Sequence, residues 1–163
     1  MAQRKPRQVG VGESSDAPEN ALHPRKTLVL YGQAKAEGSF LNAFKAGTLH
    51  HAWLLTGERG IGKATFAYRA ARFLIGQGEV AHNAASEAQT LAMSAEHPVT
   101  RQIAAGAHPS LFVLGSDGSG AGETGTISVD AARKLKGFLA LTSTSGWRAI
   151  TGFPVSLESR CAR

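Results

Sequence analysis

The sequence predicts an α/β fold, a mostly parallel sheet flanked by helices, and three observations predict it. Short apolar runs at residues 52–56 (AWLLT) and 111–114 (LFVL) suit buried strands, and stretches with helical spacing alternate with them. A glycine-rich turn joins the first of these runs directly to a helix. A further apolar run, WRAI at 147–150, is cut short by Thr151-Gly152-Phe153-Pro154, so the sheet is expected to be incomplete at its C-terminal side.

In chain order, residues 1–26 hold few large apolar side chains and cannot bury enough surface to offset their ordering entropy, which predicts a disordered arm. A domain over 27–150 and a divergent tail over 151–163 complete the expected organisation. Residues 33–46 place Ala36, Phe40, Leu41 and Phe44 on one helical face, with Gly47 as a stop. The 52–56 strand leads to a second helix over 63–75, with Phe66, Ala70, Phe73 and Leu74 on its apolar side and Gly76 as its stop. Residues 77–107 are rich in small side chains and predict two weak helices, anchored by Leu91, Met93 and Ile103 and broken at His97-Pro98. After the 111–114 strand, residues 115–125 form a loop with five glycines among eleven residues, and TISV at 126–129 suits a short edge strand or an extended entry to the next helix. Asp130 is the expected N-cap of a helix reaching Leu141, with Ala131, Leu135, Phe138 and Leu139 buried. No internal repeat is visible.

Composition narrows the function classes. The chain is ordinary globular material, 42% hydrophobic and 18% charged over 163 residues. A net charge of +6 and a pI near 9.9 favour an acidic or nucleic-acid partner, but the basic residues are spread over several segments and form no single stripe. One cysteine, Cys161, excludes an intrachain disulfide framework and a multi-cysteine zinc site, and suits a reducing cytoplasm. No apolar run approaches the ~20 residues of a membrane helix.

Gly57-Glu58-Arg59-Gly60-Ile61-Gly62-Lys63 matches the G-x-x-x-x-G-K pattern of a phosphate-binding loop. Its glycines allow backbone conformations that a side chain forbids, so that N–H groups can form an anion nest. Lys63 adds a point charge, and the helix that starts there adds the positive end of its dipole. Its bland counterpart is a glycine-rich strand-to-helix turn that binds nothing. Ala64 stands where a hydrolysing loop carries the Ser or Thr that ligates Mg²⁺. Thr65 comes one residue late, a rotation of about 100° on a helix. No apolar strand ending in acidic residues follows, so no catalytic residue is assigned.

The remaining candidates have structural explanations. His50 and His51 are adjacent, and on an extended segment they face opposite ways. His82, His97 and His108 have no cysteine or paired carboxylate at ligand spacing, so no metal site is expected.

Residues 23–78, together with Gly106-Ala107-His108-Pro109, 127–141 and Gly146-Trp147-Arg148, resemble the amino-terminal AAA+ segment of the delta-prime subunits of the bacterial DNA polymerase III clamp loader. The resemblance covers about residues 22–150 and implies a partial AAA+ P-loop nucleotide-binding domain, apparently truncated. It implies that Leu30, Tyr31 and Gly32, with Gln33, border the adenine, and that Gly57, Glu58, Arg59, Gly60, Ile61, Gly62, Lys63, Ala64 and Thr65 form the phosphate loop. ATP is the implied cofactor, weakly held. The implied partners are the gamma or tau and delta subunits and, through them, the sliding clamp and primed DNA, with no membrane. The altered loop favours delta-prime over the gamma and tau ATPases. Many relatives carry a four-cysteine zinc insertion after the P-loop helix; residues 79–107 hold no cysteine, so zinc is not implied. Ser159-Arg160-Cys161 spells the family's trans-acting motif but lacks the elements that normally precede it. Two other readings stand beside this one: a small P-loop ATPase or kinase, and a truncated product that keeps the loop but cannot assemble.

Overall fold

The computed structural model describes residues 23–78, 88–114, 129–141 and 147–152. Their elements are α1 (Ala34–Lys45), α2 (Lys63–Gln77), α3 (Pro98–Ala105), β1 (Leu111–Leu114), α4 (Val129–Ala140) and β2 (Ala149–Gly152). The strands pair in parallel, with Leu111 opposite Ala149 and Leu114 opposite Gly152. Parallel strands need a long crossover, and α4 lies on it, against β1 through Phe112 and Phe138 at 5.3 Å between ring centroids. The described residues are thus a small α/β unit of four helices and a two-stranded parallel sheet.

α2 is the centre of the packing. One side, carrying Phe66, Ala70 and Phe73, meets Phe40 and Leu41 of α1 and Leu91. The other, carrying Tyr68 and Ile75, meets Val99 and Ile103 of α3 with Leu111, Val113 and Ala149 of the sheet. A helix apolar on more than one face belongs inside a protein, and each fully buried side chain of this size contributes roughly 1.5–3 kcal/mol.

Local chemistry sets the ends. α1 stops as expected: Gly47 takes φ 65°, its N–H donates to Phe44 O at 3.0 Å, and the Thr48 N–H donates to Ala43 O at 2.9 Å. That double bond satisfies the last carbonyls of the helix as a Schellman motif. α3 starts where a break was expected. His97 accepts from the Val99 N–H through Nδ1 at 3.3 Å, and Pro98 sits where its missing N–H costs nothing. It is the one helix among the described residues of 88–107, while 79–87 lie outside them.

Six expectations are corrected. Residues 52–56 form no assigned strand, because no described residue supplies a ladder partner; Leu55 packs on the core while Leu54 is 86% exposed. Gly76 does not stop α2, which runs on to Gln77, but lies buried within it against the end of the Met93 side chain. Asp130 lies in the first turn of α4 after Val129 and pairs with Arg133 at 3.2 Å, an exposed ion pair one turn away. Leu139, expected inside, is 56% exposed because the described residues on that side place nothing over it. The last strand also lies later than the 147–150 run, since Thr151 and Gly152 pair with Val113 and Leu114. Residues 1–22, 115–128 and 153–163, with the expected arm, glycine loop and tail, lie outside the described residues. His23–Lys26, assigned by sequence to the arm, form a turn closed by the Lys26 N–H to His23 O at 2.8 Å.

Candidate functional site

The loop from Gly57 to Gly62 turns the chain into α2 through left-handed backbone. Gly57, Gly60 and Gly62 take φ 136°, 87° and 90°. At two of them a side chain would also meet a neighbour: a Cβ on Gly57 would lie 2.5 Å from Ile61 Cδ1, and one on Gly62 would lie 2.6 Å from Leu30 Cδ1. Conformation is what requires glycine at both positions; the contacts are with terminal methyls of flexible side chains, which can turn aside.

Gly62 is the N-cap of α2, and it offers no side chain to the helix's first N–H groups. The first turn also holds no acidic residue, so the positive end of the helix is left uncompensated at the loop by the described residues. Lys63 folds back over the loop, its Nζ donating to Gly57 O at 2.7 Å and to Glu58 O at 2.5 Å. The ammonium thus sits within the bend it would share with an anion. Ala64 and Thr65 continue the helix and are half-buried; Glu58 and Arg59 are exposed on the bend.

A cleft of about 250 Å³ opens beside the loop, between Gln33 and Ala36 on one side, Trp53 and Leu55 on another, and Ile61 and Lys63 on the loop itself. Gln33 ties it together by donating from Nε2 to Ile61 O at 3.1 Å. Trp53 meets Phe40 in a tilted ring contact at 5.1 Å and donates from Nε1 to His50 O at 3.2 Å, which gives His50 a backbone role. A partly apolar cleft with a few fixed polar groups is the general form of a small-molecule site.

Of the residues tied to the site by sequence, Leu30 sits against Gly62, Tyr31 is 85% exposed, and Gly32 takes φ 74° at the turn into α1. The structure brings Leu30 and the loop together directly; Gln33 and Ile61 are joined by hydrogen bond. Sequence reasoning missed Trp53 and Ala36 as cleft walls, although both stand in segments it had singled out. It also missed Arg69 and Arg72 on α2. Arg72 is 2% exposed and donates to Arg25 O at 3.0 Å and to Thr27 O at 2.8 Å. Burial, and then the neighbouring Arg69, lowers its pKa to about 10, so the guanidinium remains charged at neutral pH. Among the described residues no cluster of three or more His, Cys, Asp or Glu is placed to hold a metal ion, and no helix is long and apolar enough to cross a membrane.

Residues 32–151 match the family model described as DNA polymerase III, delta subunit. That span contains the loop, all four helices and all but the last residue of the sheet, and the chain belongs to this family. A segment of 51 residues is 41% identical to DNA polymerase III subunit gamma of Buchnera aphidicola subsp. Schizaphis graminum (strain Sg), covering 31% of this chain and 14% of that protein. The chain therefore spans about a seventh of that relative's length. No solved structure matches it.

Proposed function

We propose that the chain acts as a clamp-loader subunit of the delta-prime kind in DNA replication, with a nucleotide site that holds phosphate but does not turn over. The observation that carries this reading is the altered loop inside the family match: three glycines at positive φ and Lys63 at the head of α2, followed by Ala64 in place of the metal-binding hydroxyl. The loop supplies charge, a helix N-terminus and a glycine-bent backbone, which are the means of holding a polyphosphate. In this reading Gly57–Thr65 is the phosphate loop for ATP, and Leu30, Tyr31 and Gly32 border the adenine as the family resemblance implies. Hydrolysis needs a bridging metal and a group that orients water, which supply most of the transition-state stabilisation. Ala64 removes one metal ligand, and β2 ends at Thr151-Gly152 without a carboxylate among the described residues.

In this reading the protein is a fixed member of an assembly with gamma or tau and delta subunits, and acts through them on the sliding clamp and primed DNA. Co-purification with those subunits, followed by nucleotide titration and phosphate release on the isolated chain, tests it. Complex formation with ATP binding and no turnover supports the proposal; steady turnover that disappears in Lys63→Ala replaces it with a P-loop enzyme.

A further inference from the structure

α2 carries two cations that never reach the loop at its head. Arg72 lies nine positions after Lys63, about 13 Å along the helix axis at 1.5 Å per residue, too far to touch a phosphate held at the loop. Its fork is spent on two backbone carbonyls of the leading segment, Arg25 O and Thr27 O. Arg69, one turn earlier, donates to Leu28 O and forms an ion pair with Glu37 of α1, their side chains 11% and 19% exposed. Three carbonyls of one short segment, at 25, 27 and 28, are thus held from a single helix. Burying a guanidinium against carbonyls alone is costly, and its planar fork matches two acceptors where an ammonium meets them only as a point charge.

The held segment ends at the site. Two residues after the last latched carbonyl, Leu30 packs where a Gly62 side chain would be, and the exposed ring of Tyr31 follows. The geometry points to Arg69 and Arg72 as positioning residues that latch residues 25–28 to α2 and so fix Leu30 and Tyr31 as the nucleoside-facing wall beside the phosphate loop. The inference rests on the nucleotide reading above and deepens it: the loop serves the phosphates, and the latch serves the planar base and its sugar. Neither arginine touches ligand. Each acts by sparing the wall the cost of being ordered when the ligand arrives.

Arg72→Lys and Arg69→Lys in the full chain test this with two readouts, amide exchange and the affinities for ATP and for inorganic tripolyphosphate. Residues 25–31 should exchange about tenfold faster while α2 keeps its protection. ATP affinity should fall roughly tenfold, with tripolyphosphate unchanged, since only the nucleoside meets the wall. Should Arg72→Lys fail to fold, Arg69→Lys at the rim carries the same test. Unchanged exchange over 25–31 overturns the latch. Parallel loss of ATP and tripolyphosphate assigns the arginines to general stability and overturns the positioning role. Equal wild-type affinity for the two ligands removes the wall and leaves the phosphate loop standing, whereas a wild-type chain that binds neither removes the nucleotide reading and the positioning role with it.

Discussion

α2 and α4 are alike on paper and opposite in place. Both are amphipathic helices, of 15 and 12 residues, each next to a glycine-rich stretch of sequence. α2 buries Phe73 and Ile75 to 1% and 0% exposure and packs on α1, α3 and the sheet. α4 leaves Val129 and Leu139 at 67% and 56% exposure and docks through Phe138, which meets Phe112 and the Arg148 guanidinium at 5.1 Å. The difference teaches that the candidate site is built on the most tightly held element of the described residues. A loop that must keep three left-handed glycines and a lysine in register needs a rigid helix behind it.

The largest expected effect breaks that comparison at its core. Ile75→Ala should cost about 2–5 kcal/mol in denaturant unfolding, through lost burial and a residual cavity. Leu139→Ala, on the exposed side of α4, should stay within about 0.5 kcal/mol. Equal losses would show that the two helices share one level of packing.

A pair of glycine substitutions sharpens the contrast by reversing sign. Gly62→Ala meets Leu30 Cδ1 and a φ of 90°, so it should destabilise the protein by more than about 1 kcal/mol and disturb the loop. Gly137→Ala in α4 meets nothing within 4 Å, so it should raise stability by roughly 0.5–1 kcal/mol through helix propensity alone. Thermal melts of the two variants against the parent check both signs. The smallest effect is kinetic and needs no substitution: amides of α2 should exchange only through the most costly opening, and those of α4 through a cheaper local one.

Much of this was legible in the sequence. The cores of α1, α2 and β1 follow from spacing, and the loop follows from Gly57, Gly60, Gly62 and Lys63, whose roles depend on local backbone chemistry. What escaped depends on long-range packing. A single apolar face was assigned to α2, whereas Tyr68, Ala71 and Ile75 make a second one, and Arg72 lies between them at positions i+4 and i−3 of Tyr68 and Ile75. That spacing was the available signal for a buried arginine, but the acceptors 45 and 47 residues away were not visible in it. Residues 52–56 have the composition of a strand, yet a strand exists only where a neighbour supplies the ladder, which no local pattern encodes. Gly76 looked like a stop because glycine often is one; its contact with Met93 across the core is a tertiary fact.

In the function proposed above, the loop before α2 holds nucleotide phosphate without turning it over. Calorimetric titration of ATP into the wild-type chain and Lys63→Ala, with phosphate release followed in the same samples, tests it most directly. The wild type should bind, Lys63→Ala should bind at least about tenfold more weakly, and neither should release phosphate above the level of buffer. ATP binding indifferent to Lys63, or steady hydrolysis that Lys63→Ala abolishes, would contradict it.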